Sequence, residues 1–262
     1  MNRRPIGIFD SGVGGTSIWR EIAHLLPFEN TIYLADSKNA PYGERPAEEI
    51  LQLSIKNTEF LIQKGCKLIV VACNTATTNA IDYLRKNYEI PFIGIEPAIK
   101  PAALHTKSKK VGVLATKGTL SSALFHSTAQ LHASGIEILE RQGKGLVELI
   151  ENGEMKSEET RALLQEYVNP MLKKDIDYLV LGCSHYPYLI PLLREILPNN
   201  VTVIDSGEAV ARQTKSILEE KELLNSDDSN GKHLFYTNVA TDTLEMILKN
   251  ATENLIIEQL DF

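Results

Sequence analysis

In the stretches LIVVACNTATT (residues 68–78) and YLVLGCSHYP (residues 178–187), a continuous apolar run ends in a cysteine that polar, turn-forming residues follow. Short apolar runs of this kind are typical of buried strands in a parallel sheet. Because ligands of open α/β sheets bind beyond the carboxyl ends of the strands, both thiols are predicted to lie at a ligand site. Two thiols facing each other across one cleft suggest a two-base reaction, in which one removes a proton and the other returns a proton on the opposite face.

Strand-like runs alternate with amphipathic, helix-like stretches along the chain. Strands are predicted over residues 5–9, 31–35, 68–73, 92–95, 110–114, 178–183, 202–204 and 233–236. Helices are predicted over residues 47–64, 75–86, 120–132, 146–152, 157–173, 189–197 and 207–222. This alternation predicts an α/β fold with helices on both faces of parallel sheets. The polar stretch 226–232 is predicted to be an exposed loop.

One α/β unit is repeated weakly within the chain. The segment IGIFDS (residues 6–11) resembles VGVLAT (residues 111–116), and each segment is followed at a similar distance by one of the two cysteine strands. Any two α/β units share some of this similarity, so the repeat is a hypothesis. A duplication predicts two pseudo-symmetric parallel-sheet domains with the active-site cleft between them.

Composition limits the class of protein. The chain has 262 residues, of which 43% are hydrophobic, so it can bury a proper core. Its net charge of -7 argues against a nucleic-acid partner, which favours a basic surface. No apolar run approaches the length of a membrane span, and the start does not resemble a signal peptide. Three cysteines without a signal peptide fit the reducing cytoplasm, where we expect the protein to lie.

Two loops after predicted strands carry turn residues. In DSGVGGTS (residues 10–17), the glycines expose backbone N–H groups that can bind an anion, although their spacing matches neither a dinucleotide fingerprint nor a P-loop. The alternative is a tight strand-to-helix turn in which Asp10 caps backbone groups. In ADSKNAPYG (residues 35–43), Tyr42 and Gly43 are candidates to give a ligand a hydroxyl and an N–H group. An ordinary β-turn loop is the alternative here.

The thiols have different surroundings in the sequence. Cys73 precedes helix-capping residues, and a thiol at a helix N-terminus is expected to have a pKa below its free value. The alternative is a plain core cysteine. Cys183 is followed two residues later by His185, which is a candidate partner of the thiol; no paired metal-ligand motif occurs, so no metal is predicted. Cys66 precedes its strand and is expected to be a bystander. Glu151 ends a short helix that reads as a solvated face.

Four ordered motifs together closely resemble the glutamate racemase family, within the aspartate/glutamate racemase superfamily. They are DSGVGG (10–15), AD (35–36) with PYG (41–43), CNTA (73–76) and GCSHYP (182–187), and the resemblance covers about residues 5–210. Ser184 stands where the family usually has Thr and keeps the hydroxyl. Tyr188 stands where Leu is common and is expected to affect only packing.

The resemblance implies cofactor-independent interconversion of L-glutamate and D-glutamate, which supplies D-glutamate for peptidoglycan. It implies a first domain of residues 1–97 plus 211–262, a second of residues 98–210, and, since dimers are common in the family, a homodimer. It implies that Cys73 acts on D-glutamate and Cys183 on L-glutamate, assisted by Asp10 and His185, with Glu151 as a secondary candidate. The implied substrate contacts are Asp10, Ser11, Tyr42, Gly43, Asn74, Thr75, Thr116, Thr119, Ser184 and His185.

The chemistry of such a reaction agrees with the loop composition. Without a cofactor to act as an electron sink, the deprotonated α-carbon must be stabilised by N–H and OH donors around the carboxylate. Two alternatives stay open at this point. One is a racemase of aspartate or a hydantoin, which would share both cysteines. The other is a thiol redox or regulatory binding protein, whose function would need a disulfide between Cys73 and Cys183.

Overall fold

The structure, a computed structural model, describes residues 2–226, 229–249, 251 and 254–262. Its strands are β1 (Ile6–Asp10), β2 (Thr31–Ala35), β3 (Leu68–Val71), β4 (Phe92–Gly94), β5 (Lys110–Ala115), β6 (Glu137–Gln142), β7 (Tyr178–Gly182), β8 (Thr202–Ile204), β9 (His233–Thr237) and β10 (Leu255–Gln259). Its helices are α1 (Thr16–Leu25), α2 (Ala47–Gln63), α3 (Asn74–Asn87), α4 (Ile99–His105), α5 (Lys117–Leu120), α6 (Ala123–His132), α7 (Leu146–Glu151), α8 (Glu158–Leu172), α9 (Ile190–Ile196), α10 (Gly207–Glu220) and α11 (Asp242–Leu248). Single 3₁₀ turns occur at Ser37–Asn39, Tyr42–Glu44 and Tyr186–Leu189.

The described strands form two parallel sheets. The six-stranded sheet has the order β10-β9-β2-β1-β3-β4, and the four-stranded sheet has the order β6-β5-β7-β8. Every strand pair in both sheets is parallel. The predicted fold class, α/β with two parallel sheets and helices on both faces, is confirmed.

The register places corresponding loops of the two sheets in equivalent positions. In the first sheet, β1 lies beside β3, with Phe9 opposite Val71, so Asp10 at the end of β1 lies near Cys73, which follows β3. In the second sheet, β5 lies beside β7, with Ala115 opposite Gly182, so Thr116 and Cys183 follow neighbouring strands. Each cysteine therefore lies at the carboxyl edge of its sheet. It lies next to the loop after β1 in the first sheet and the loop after β5 in the second, which are the two loops that the weak sequence repeat aligns.

The central strands are buried on both faces, as their continuous apolar sequences require. All residues of β1, β2 and β3 are buried. Neighbouring residues of β1 pack on opposite faces, with Ile8 in the cluster that contains Trp19 of α1 and Phe9 in the cluster that contains Leu61 of α2. This two-sided packing fixes the strand ends that carry the site.

The elements that sequence reasoning omitted are mostly short or exposed. The strand β6 (EILERQ) has no buried residue, and β10 is largely exposed; both lie at sheet edges. An edge strand needs no continuous apolar run, because one of its sides stays open. The helix predicted over 120–132 is two helices, since the Ser122 side chain caps α6 by accepting from Phe125 N–H.

Two further predictions concern the loop over residues 226–232 and membrane-spanning segments. The predicted loop 226–232 includes residues 227 and 228, which lie outside the described residues. Among the residues that are described, no helix is long and apolar enough to cross a membrane.

Candidate active site

Cys73 and Cys183 line the same small cavity, in which only about 10 Å³ is open to the centre of a water molecule. Only 4% of Cys73 and 6% of Cys183 is exposed. The loops after strands of both sheets form the walls, which consist of Ser11, Pro41, Tyr42, Gly43, Cys73, Asn74, Thr75, Thr116, Val147, Cys183, Ser184 and His185. The structure thus brings together most of the residues predicted for the site. Asp10 and Thr119 are buried directly behind this wall, where they contact Ser184 and Thr116.

Cys73 is held at the start of α3. Its thiol accepts a hydrogen bond from Ala76 N–H (3.4 Å) and donates to Ser11 Oγ (3.8 Å). Burial raises the pKa of Cys73 above its usual value, and the nearby charge of Asp10 raises it further. The expected depression of this pKa by the helix N-terminus is therefore wrong, because the loss of hydration outweighs the single N–H donor.

His185 connects Cys183 to a carboxylate. His185 Nδ1 lies 3.9 Å from Cys183 Sγ, and on the other side of the ring Nε2 donates to Glu151 Oε1 at 2.5 Å. Although burial alone lowers the pKa of His185, the hydrogen bonds with Cys183 and Glu151 and the charge of Asp10 raise it well above its usual value. These contacts favour the imidazolium form of His185, which lies between a thiol and a carboxylate.

Glu151 belongs to the site rather than to a solvated helix face. Its side chain is 15% exposed. Besides the bond from His185, its carboxylate accepts from Val13 N–H (2.6 Å) and Ser37 Oγ (2.7 Å). Burial alone raises the pKa of Glu151, but these hydrogen bonds, that from His185 first, hold it below its usual value. The solvated-face interpretation failed because the partners come from loops far away in the sequence.

Asp10 is fully buried and lies near both Cys73 and His185. It accepts hydrogen bonds from Gly12 N–H (3.1 Å) and Ser184 Oγ (2.9 Å), and its Oδ2 lies 3.9 Å from His185 Nδ1. Burial raises the pKa of Asp10 above its usual value, while the charge of His185 opposes this shift. Asp10 therefore places a carboxyl group from the first sheet against the Cys183 loop of the second.

The glycine-rich loop binds an anion, but that anion is the protein's own Glu151 carboxylate, on Val13 N–H. The glycines also permit close approach of the second sheet's residues. A Cβ atom at Gly12 would lie 2.0 Å from Glu151 Oε1, and one at Gly14 would lie 2.1 Å from His185 Nδ1. Side chains at positions 12 and 14 would displace the Glu151 carboxylate and the His185 ring. This close contact, and not a bound nucleotide phosphate, explains why both positions are glycine.

Asn74 and a group of threonines supply polar atoms to the opposite wall. Within the described part of the chain, neither the amide oxygen nor the amide nitrogen of the buried Asn74 side chain has a hydrogen-bond partner. A buried amide without partners is costly, so it marks a place for a polar ligand. Thr75 Oγ1 lies 2.9 Å from Thr116 Oγ1, and Thr116 Oγ1 donates to Thr119 Oγ1 at 3.0 Å. These hydroxyls join the α3 loop to the α5 loop.

The Tyr42 hydroxyl points away from the cavity. It donates to Asp36 Oδ2 at 2.5 Å and accepts from Asn57 Nδ2 at 3.2 Å, so its proton is used within the first-sheet half. Tyr42 lines the cavity with other atoms, and Gly43 lines it beside Thr116. A Cβ atom at Gly43 would lie 2.8 Å from Thr116 Cβ, which explains the glycine by close contact between the two halves.

Cys66 lies apart from the cavity that the other two cysteines line. Cys66 is buried before β3, at the other end of the strand from Cys73, and burial raises its pKa to about 12. It does not line the cavity. No group of three or more His, Cys, Asp or Glu side chains among the described residues is arranged to hold a metal ion.

The two parallel sheets and the pair of cysteines at one cavity place the chain with the α/β racemases, as comparison with known proteins shows. The sequence profile of the Asp/Glu/Hydantoin racemase family matches residues 6–214, and the chain belongs to this family. The glutamate racemase of Herpetosiphon aurantiacus is 49% identical over 231 residues, which cover 88% of this chain and 91% of that protein. The resemblance to glutamate racemases is therefore confirmed.

Solved structures give the same result. A glutamate racemase isoform of Bacillus anthracis superposes with a TM-score of 0.89 at 32% identity, over 100% of this chain and 99% of that one. The glutamate racemase of Francisella tularensis, solved in complex with D-glutamate, superposes with a TM-score of 0.84 at 30% identity, over 100% and 99% of the two chains.

Proposed function

We propose that this protein interconverts L-glutamate and D-glutamate without a bound cofactor, and that Cys73 and Cys183 are its two acid/base groups. The observation that carries the proposal is that both thiols line one cavity. The relatives at about half identity are glutamate racemases, and one similar structure holds D-glutamate. In this reaction one thiolate removes the α-proton while the opposite thiol protonates the other face.

The substrate carboxylate binds at the polar wall. Asn74 offers an amide without partners, and Thr75 and Thr116 offer hydroxyls at the same wall. Donors fixed there before the reaction stabilise the negative charge that moves onto the carboxylate as the α-proton leaves. Ser11, Gly43 and the other lining residues complete the pocket, which has little room for water.

Substrate binding also prepares the buried thiol to act as a base. Burial and the charge of Asp10 raise the pKa of Cys73 and so favour its protonated form. The α-ammonium group of glutamate brings a positive charge into the same cavity, and a nearby positive charge lowers the pKa of a thiol. The thiolate is thus formed in the presence of the substrate.

His185 assists the thiol on the other side. Its imidazolium lies 3.9 Å from Cys183 Sγ and is held there by Glu151. A positive charge at this distance stabilises the Cys183 thiolate when the thiol gives up its proton. Asp10, which contacts the same ring, orients it from the first-sheet side.

The wider setting of the reaction follows from the same proposal. D-glutamate made in the cytoplasm supplies peptidoglycan synthesis, with L-glutamate and D-glutamate as the ligands and no nucleic acid or membrane as a partner. We propose domains of residues 1–97 plus 211–262 and residues 98–210, and a homodimer as the assembly. Each half carries one of the two cavity cysteines, so relative movement of the halves would open and close the cavity.

The decay of circular dichroism of an L-glutamate solution tests the proposal. Added protein is expected to bring the signal to zero, and the same end point is expected from D-glutamate. L-aspartate should keep its signal; its racemisation in place of glutamate would move the substrate to the related amino acid. If mild oxidation to a Cys73–Cys183 disulfide creates an activity instead of abolishing one, the protein is a redox protein and the proposal is wrong.

A further inference from the structure

Tyr188 joins the two halves of the molecule by a hydrogen bond. It follows the Cys183 loop of the second sheet, and its hydroxyl lies 2.5 Å from Oγ1 of Thr16, the first residue of α1 in the first-sheet half. Thr16 Oγ1 donates its one proton to Val13 O at 2.6 Å. Tyr188 must therefore be the donor. Through its own bond to Val13 O, Thr16 connects Tyr188 to the glycine-rich loop.

Two further contacts near the N-terminus of α1 accompany the Tyr188–Thr16 bond. Ser17 Oγ donates to the backbone oxygen of Ser184 at 2.8 Å. The guanidinium of Arg20 lies 6.0 Å from the centre of the Tyr188 ring, a distance at which cation and ring attract each other. Three residues near the N-terminus of α1, namely Thr16, Ser17 and Arg20, thus contact the segment that carries Cys183.

Both ends of the Tyr188–Thr16 bond connect to the candidate catalytic groups. On one side, Tyr188 N–H donates to the backbone oxygen of His185 (3.2 Å). On the other side, the Val13 carbonyl accepts from Thr16 while Val13 N–H holds Glu151, the partner of His185. A change at this bond is therefore transmitted to the His185–Glu151 pair from both directions.

The cavity between the halves must open to admit a ligand. His185 is 1% exposed, and the two cavity cysteines are nearly as buried. In an open state, the hydroxyls of Tyr188 and Thr16 bond to water instead of to each other. Opening along this contact would break the bond, and closing would form it again.

We propose that Tyr188 is a positioning residue that latches the closed state by donating to Thr16, and so holds the two cysteine loops in register. The inference deepens the proposed two-thiol reaction and rests on it. A tyrosine is required for this role because only its hydroxyl reaches Thr16, so an apolar side chain at this position fills the space without closing the latch.

The rate of thiol labelling measures opening directly. N-ethylmaleimide reacts with the protein over time, and mass spectrometry of the peptides gives a separate rate for each of the three cysteines. Tyr188→Phe is expected to raise the labelling rates of Cys73 and Cys183 by about threefold to tenfold, the effect of one net hydrogen bond on the opening equilibrium. Cys66 lies outside the cavity and serves as the internal reference for global unfolding.

Matched variants separate the latch from general loosening. Thr16→Val removes the acceptor and should match Tyr188→Phe, the double variant should label no faster than either single variant, and Thr16→Ser should keep wild-type protection. Tyr167→Phe is the control, since the Tyr167 hydroxyl donates to Lys144 O (2.8 Å) away from the two cysteine loops. It should leave all three rates unchanged.

Two results would overturn the latch. One is an unchanged labelling rate of the cavity thiols in Tyr188→Phe. The other is a rise at Cys66 equal to that at Cys73 and Cys183, which would mean that the variant unfolds rather than opens. Racemase activity is measured in parallel, with kcat/KM for glutamate expected to fall about threefold to tenfold in Tyr188→Phe. If Tyr188→Phe shows the expected labelling pattern but the wild-type protein does not racemise glutamate, the proposed function is overturned while the latch is supported.

Discussion

Replacing Glu151 with glutamine tests how His185 is kept charged. The carboxylate accepts from His185 Nε2 at 2.5 Å in a buried setting, and the substitution removes its negative charge while keeping the side chain's size. Because the bond with Glu151 raises the pKa of His185, its loss must lower that pKa. The imidazolium is then lost at a lower pH than in the wild type.

The size of the shift follows from the bond that is removed. A hydrogen bond to a charged group is worth about 1.5–3 kcal/mol. Since one pKa unit corresponds to about 1.4 kcal/mol, the pKa of His185 is expected to fall by about one to two units. If the imidazolium assists Cys183, the alkaline limb of the kcat profile moves to lower pH by the same amount. At a pH well above both midpoints, kcat of the variant is then about tenfold to a hundredfold below that of the wild type.

The assay combines kinetics with a direct titration. Glutamate racemisation is followed by circular dichroism from pH 6 to pH 10, and the His185 ring is titrated by NMR after assignment. Glu148→Gln is the matched control, because Glu148 lies on the same helix and carries the same charge but is exposed. The reasoning is refuted if Glu151→Gln leaves the pKa of His185 unchanged, or if Glu148→Gln shifts the alkaline limb equally.

Three further substitutions test separate parts of the site, each by steady-state racemisation of folded protein. Cys66→Ser is expected to leave kcat within a few-fold, because Cys66 lies outside the cavity; a loss of several hundred-fold would contradict its placement. Asn74→Ala should raise KM for glutamate by about tenfold to a hundredfold, the worth of a hydrogen bond to a charged carboxylate; an unchanged KM would exclude its amide from binding. Gly14→Ala should lower kcat by about a hundredfold or more, since the added Cβ would lie 2.1 Å from His185 Nδ1; wild-type kcat would show that the ring need not stay in place.

The strand ends were predictable because local sequence determines them. Buried parallel strands need continuous apolar runs, and the runs before Cys73 and Cys183 are unbroken. The edge strand β6 carries charged residues, and its place in the sheet depends on pairing with β5. No local pattern distinguishes such a strand from a polar loop.

The contacts within the site were less predictable than its cysteines. Glu151 takes part through Val13 and Ser37, which lie more than a hundred residues away in the sequence. The spacing of glycines 12 and 14 was a signal of close contact that could be recognised only once the second half was placed against it. The pKa of Cys73 was misjudged because a helix N-terminus is visible in the sequence, whereas the burial that outweighs it is not.

Exchange of the α-hydrogen of glutamate in D₂O by the single-cysteine variants tests the two-thiol reaction most directly. Neither Cys73→Ala nor Cys183→Ala should racemise glutamate, since each lacks one of the two groups, but the remaining thiol can still remove and return a proton on its own face. Cys183→Ala is expected to exchange the α-hydrogen of D-glutamate and little of L-glutamate, and Cys73→Ala the reverse, as NMR of the recovered glutamate would show. A clean swap of these preferences would reverse only the assignment of faces. Equal exchange of both enantiomers by both variants would contradict the two-thiol mechanism.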